Sequence, residues 1–173
     1  MSDETWSWVR QLTGARAARR GERIQSLWSG YGEIVRVELD GTADPTVIVK
    51  RVDPPRHADD GASSRSHERK LRSYRVEAAW YRDWAERCNE RCRVPKCLGV
   101  EARDGGWVFA LEDLDAAGYA GRRHRLSHAE VRSCLSWLAE FHGRFMGERP
   151  RGLFKVGTYW HLVLRPEDGD RVR

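Results

Sequence analysis

The chain has 173 residues, 40% hydrophobic, 33% charged and 10% aromatic, a length that suits one domain or one and a fraction. Eight tryptophans and only 6 prolines exclude a collagen-like, mucin-like or wholly disordered polypeptide. Thirty-one basic against 26 acidic residues leave a net charge of +5, enough for weak attraction to anionic surfaces but not a nucleic-acid-binding signature.

In chain order, residues 5–12 can form a short helix, with Asp3 and Glu4 at its positive N-terminal end. Gly14 and the basic run 16–23 then break it, so 1–23 reads as a helix and basic linker. Residues 24–28 read as a strand, followed by the turn Ser29-Gly-Tyr-Gly32 and a second strand over 34–39. Asp40 and Gly41 open a loop to Pro45, and the β-branched stretch 46–52 makes a third strand that stops at Pro54 and Pro55. The polar stretch 53–66 reads as a mobile loop, with Ser66 as N-cap of a long helix over 67–90. Residues 94–101 and 107–111 form two further strands across the Asp104-Gly-Gly106 turn. A connector follows over 112–126, and Ser127 with Glu130 forms a capping box opening a helix over 127–145. The predicted fold class is α+β: a five-stranded antiparallel sheet with one long helix packed on it, occupying 24–111. Residues 127–173 add a further helix and a tail frayed over 165–173.

Two charged residues stand in unusual places. Lysine is scarce (Lys50, Lys70, Lys96 and Lys155 only), so its position carries information that the abundant arginine does not. Lys50 ends an apolar strand, on the face of Ile48 and Val52 by period-two alternation. On the long helix Leu71, Tyr74, Ala78, Tyr81, Ala85 and Cys88 form one stripe, widened by Trp80 and Trp84, and Glu77 falls inside it. A carboxylate there needs a partner, because an unpaired buried charge is costly, and Lys50 is the nearest candidate in topology. A strand lysine paired with the glutamate of the next helix is how kinases position the phosphates of ATP.

The segments Val47-Ile-Val-Lys50, Ser73-Tyr-Arg-Val-Glu-Ala-Ala-Trp-Tyr81, Arg93-Val-Pro-Lys-Cys97, Leu111-Glu-Asp-Leu-Asp-Ala-Ala-Gly-Tyr119 and Cys134-Leu-Ser-Trp-Leu-Ala-Glu-Phe-His142 resemble the kinase-like small-molecule phosphotransferases. That superfamily includes aminoglycoside, choline and ecdysteroid kinases, and the closest likeness is to a bacterial, ecdysteroid-kinase-like branch. The resemblance implies a protein-kinase-like N-lobe over 24–111, a hinge over 112–126 and the start of a C-lobe over 127–173. It implies that Lys50 binds the phosphates of ATP and that Glu77 orients it. Glu112 and Leu114 would contact adenine through their backbone, and Val35, Ile48 and Leu111 would line its pocket. The Ser29–Gly32 turn is shorter than a protein-kinase glycine-rich loop.

The family's His-Gly-Asp loop, the Asn after it and its metal-binding Asp do not occur after the 127–145 helix, where Asp168 and Asp170 are the only aspartates. Phosphoryl transfer needs a positioned base and Mg²⁺ ligands, so no catalytic or metal-binding residue is assigned. The expectation is the ATP-binding part of a truncated phosphotransferase, inactive alone, with Mg²⁺ expected only alongside a C-lobe. The complete enzyme would take a small-molecule acceptor. The alternative is a non-catalytic nucleotide-binding or regulatory remnant that pairs with another chain.

The remaining features read as structural. Cys88, Cys92, Cys97 and Cys134 are expected as reduced thiols without a zinc site, and His142 as a core histidine. Arg122, Arg123, His124 and Arg125 form a solvated basic cluster, while Tyr159 and Trp160 are packing residues. No segment approaches the ~18–20 apolar residues of a membrane span, and 1–21 lacks the form of a secretory signal. A cytoplasmic chain with neither membrane nor nucleic-acid partner is expected. The apolar residues Val131, Leu135, Leu138, Phe141 and Phe145 of the last helix must fold back, self-associate, meet a complementary C-lobe polypeptide or stay exposed.

Overall fold

The computed structural model describes residues 3–55, 61–119 and 121–156. Helix α1 (Asp3–Thr13) leads into five strands and a second helix: β1 (Ala17–Ser26), β2 (Gly32–Asp40), β3 (Thr46–Val52), α2 (Gly61–Asp83), β4 (Cys97–Arg103) and β5 (Gly106–Glu112). Helix α3 (His128–Phe145) follows the connector. The strands form one antiparallel sheet in the order β1-β2-β3-β5-β4, so β1 and β4 are its edges.

Strand alternation divides the apolar side chains between two faces. On one face Val35, Val37, Val47, Val49, Val108 and Ala110 are buried against Val9, with Trp6 and Trp8 of α1 closing over them. On the other, Leu27, Tyr31, Val52, Phe109 and Leu111 are buried against Ala78, with Tyr74 and Tyr81 of α2 beside them. Phe109 is fully buried at the centre of that second face, a burial that stabilises by about 2–3 kcal/mol.

The largest departures from the sequence reading are at β1 and α2. The basic run expected as a linker is the first half of β1: Ala17 pairs with Asp40 and Arg20 with Val37. An edge strand accepts such a sequence because one side of it meets water, and two register shifts near Arg23 twist it locally. Helix α2 starts five residues before Ser66 and ends at Asp83 instead of residue 90. Beyond it the chain makes two 3₁₀ turns, and the Asn89 side chain accepts from the Arg91 and Cys92 N–H groups to cap the second. Asn competes with helical backbone in this way, which the apolar periodicity does not reveal.

The capping box at α3 is present: Ser127 Oγ accepts from Glu130 N, and the Glu130 carboxylate accepts from Ser127 N at 2.8 Å. Helix α3 docks through aromatic side chains. Phe145 sits 5.5 Å from Trp80 and 5.9 Å from Trp84, Phe141 lies 5.5 Å from Trp80, and Trp137 stacks on Phe141 at 5.0 Å. Trp137 Nε1 also donates to the Arg93 carbonyl. Val131, Leu135 and Leu138 are left exposed, so the expected stripe splits into a packed and a bare part. His142 is exposed rather than a core residue, touching only the Phe141 ring edge at 6.1 Å among described aromatic neighbours. After α3 the chain returns along α2, where the Arg151 carbonyl accepts from Trp84 Nε1 and the Arg72 guanidinium covers Phe154. Tyr159, Trp160, Asp168, Asp170 and the tail lie outside the described residues.

Candidate functional site

The β3–α2 face of the sheet brings Lys50 and Glu77 together. Lys50 Nζ lies 2.6 Å from both Oε1 and Oε2 of Glu77, with side-chain exposures of 14% and 27%. Alternation places Lys50 on this face together with Ile48 and Val52, and Glu77 faces it from α2 one turn above Tyr81. The ammonium also lies 5.2 Å from the Tyr74 ring centroid and 5.6 Å from that of Phe109, so aromatic walls limit its hydration on two sides. The Tyr81 hydroxyl, in the same layer, is pushed up to about 12 by burial and, secondarily, by the negative charge of Glu77.

The strip beside Lys50 is apolar. Ile48 pairs directly with Leu111 across β3 and β5, and Ile34 pairs with Lys50 across β2 and β3, all on the α2 face. Val35 is elsewhere. It is fully buried on the α1 face with Val37 and Val49, because one step along a strand reverses the side chain, and Ile34 occupies the position foreseen for it.

At the connector, the Glu112 side chain is occupied. Its carboxylate takes two hydrogen bonds from Arg93, at 2.7 and 3.0 Å, and one from Lys96 N at 3.0 Å. These bonds, the Arg93 pair foremost, hold its carboxyl below the usual range against the opposing effect of burial. The Glu112 N–H donates to the Lys96 carbonyl, and the Leu114 carbonyl accepts from Tyr119 N. Among the described residues, the Leu114 N–H donates to nothing.

Sequence reasoning missed the clasp that holds this connector. Asp113 is 4% exposed and accepts from Arg36 Nε at 2.6 Å, Thr46 Oγ1 at 2.8 Å and Asp115 N at 3.1 Å. Burial opposes its ionisation, but the Arg36 and Thr46 hydrogen bonds and the Arg36 charge outweigh that and hold the carboxyl low. Arg36 also reaches Asp115 at 2.5 Å and Glu22 at 2.9 Å. It stands directly opposite Ile48, so the clasp closes the connector end of the strip formed by Ile34, Ile48 and Leu111. The available signal was alternation alone, which puts Arg36 on the Ile34 face.

The cysteines carry no comparable chemistry. All four are unpaired, and burial foremost, then Cys92, push the Cys88 thiol up to about 11. Burial also raises Cys97, so neither is a thiolate at neutral pH. No three His, Cys, Asp or Glu side chains converge to hold a metal ion among the described residues. In the basic loop, Arg122 reaches Gln25 and Arg123 lies 3.7 Å from Glu130. Among the described residues, an open groove of about 670 Å³ is lined by Arg87, Arg91, Glu140 and Arg144, and one of about 380 Å³ by Cys88, Arg93 and Cys97. Neither groove has Lys50 or Glu77 in its lining. No described helix is long and apolar enough to cross a membrane.

A five-stranded antiparallel sheet whose central strand carries a lysine paired with the glutamate of the overlying helix defines an α+β fold of the kinase-like N-lobe type. The chain belongs to the ecdysteroid kinase-like family, whose model matches residues 33–146. That range contains Lys50, Glu77, the Asp113 clasp and α3. No curated protein matches the chain.

Proposed function

We propose that these residues form the ATP-binding part of a kinase-like phosphotransferase that acts on a hydroxyl of a small molecule. The observation that carries the reading is the Lys50 ammonium, held by both oxygens of Glu77 on the face it shares with Ile48 and Leu111. The pair fixes the ammonium with an N–H to spare for a phosphate oxygen, since an ammonium has three donors and Glu77 takes at most two. The apolar strip of Ile34, Ile48 and Leu111 suits a purine face, and the Leu114 N–H suits a ring nitrogen at the purine edge. ATP would supply the transferable phosphoryl group. The described residues that fit it serve binding and orientation, and they do not account for a Mg²⁺ site.

Titration with ATP and with adenosine, followed by backbone chemical shifts, tests the reading. Lys50→Met is expected to weaken ATP while leaving adenosine unchanged, and Ile48→Trp to abolish both. No saturable response at millimolar ATP would refute it.

A second reading, a nucleotide-binding module that pairs with another polypeptide or with itself, is favoured by the exposure of Val131, Leu135 and Leu138. Sedimentation at micromolar concentration with and without ATP separates the two: a monomer that binds ATP supports the first, and self-association supports the second.

A further inference from the structure

The turn between β1 and β2 is pinned to α2 by groups outside the Lys50–Glu77 pair. The Tyr31 hydroxyl and His67 Nδ1 are hydrogen-bonded at 2.6 Å, and Tyr31 is 3% exposed. Lys70 Nζ donates to Ser29 Oγ at 3.0 Å and lies 4.6 Å from the Tyr31 ring centroid. His67, Lys70, Tyr74 and Glu77 recur at spacings of three and four, which puts all four on one face of α2. An aromatic bridge joins the two cations: the Tyr31 and Tyr74 rings are 6.2 Å apart, and Lys50 covers Tyr74. Lys70 and Glu77 stand seven positions apart on α2, about 10 Å along the axis.

The backbone of the turn is partly committed: the Tyr31 N–H donates to the Trp28 carbonyl. Gly32 has φ +129°, a Cβ there would stand 2.0 Å from the Arg51 carbonyl oxygen, and the Leu27 N–H is spent on the Gly32 carbonyl. The cation beside this turn is a side chain, Lys70. Lys70 differs from Lys50 in having no carboxylate within ion-pair distance among the described residues. With one donor on Ser29 and one side on Tyr31, its ammonium keeps a donor for a ligand, and the Ser29 hydroxyl keeps its own proton to donate.

We propose that Lys70, positioned by Ser29 and Tyr31, is a second phosphate-binding group that receives the outer phosphates of a polyphosphate whose inner phosphate meets Lys50. The ATP reading supplies only the identity of the ligand. The subsite itself predicts binding of a polyphosphate chain without a nucleoside.

The test titrates the whole chain with inorganic tripolyphosphate, ATP and adenosine, using Lys70→Gln, Lys70→Arg and, as a control cation, Lys155→Gln. Thermal melts confirm that each variant folds. Lys70→Gln is expected to weaken tripolyphosphate and ATP about tenfold, the loss of one charge-assisted hydrogen bond, with adenosine and the Lys155 variant unchanged. Lys70→Arg is expected to retain most of the affinity. Equal tripolyphosphate binding by wild type and Lys70→Gln, or none by wild type, overturns the proposal. Lys70-dependent tripolyphosphate binding that adenosine does not share and that ATP does not exceed leaves the subsite standing and removes the ATP reading. ATP binding that is lost in Lys50→Met but intact in Lys70→Gln does the reverse.

Discussion

Removing one partner of the Lys50–Glu77 pair tests the centre of the site directly. An exposed ion pair contributes under ~1 kcal/mol, and breaking a buried one costs ~3–5 kcal/mol. With exposures of 14% and 27% and both carboxylate oxygens at 2.6 Å, this pair lies between those limits. We place the cost of Glu77→Gln at about 1.5–2.5 kcal/mol, a fall in Tm of about 3–10 °C for a chain of this size. Lys50→Met is expected to cost little in packing, because its chain keeps its contacts with Tyr74 and Phe109, but it leaves the Glu77 carboxylate without its cation. A double-mutant cycle by urea unfolding isolates the pair, with an expected coupling of at least ~1 kcal/mol. Coupling below ~0.3 kcal/mol, with unchanged m-values, would mean that water screens the pair as on an open surface, and the argument from burial would fail.

The connector carries a pH signature. Glu112 has its folded pKa below the ordinary value, so its stabilising effect is complete above that value and is lost as pH falls through the folded pKa. Glu112→Gln is therefore expected to be less stable than wild type at neutral pH by about 1–2 kcal/mol, the two converging in acid; parallel acid-unfolding curves would contradict this. Tyr81 has its folded pKa raised to about 12, so stability from its neutral form is full below about 10 and declines as pH rises toward 12. Phenolate absorbance of wild type minus Tyr81→Phe is expected to show that late titration, moved to lower pH by Glu77→Gln; a midpoint near 10 would refute the burial of Tyr81.

Strand and helix order, the antiparallel sheet, the Ser127 cap and the Lys50–Glu77 pair were all legible in the sequence. Each rests on a local signal: β-branched runs, a capping box, and two charges placed where apolar periodicity leaves no room for them. The C-terminal end of α2 is not legible in the sequence, because Asn89 and the 3₁₀ turns compete through hydrogen bonds that periodicity does not record. The basic half of β1 was read as linker because edge strands tolerate charge. What only tertiary structure decided is which face each residue meets and which distant groups share it. Val35 and Ile34 are neighbours in sequence yet belong to opposite cores, since alternation alone does not say which side of a two-faced sheet will hold the site. Arg36, Thr46, Asp113 and Asp115 meet across a strand crossing, and Lys70 meets Ser29 across 41 residues. No pattern within any one segment encodes these meetings. They arise when the sheet closes and α2 settles on it, because the burial that places Phe109 and Ala78 at the core also carries those polar side chains to their partners.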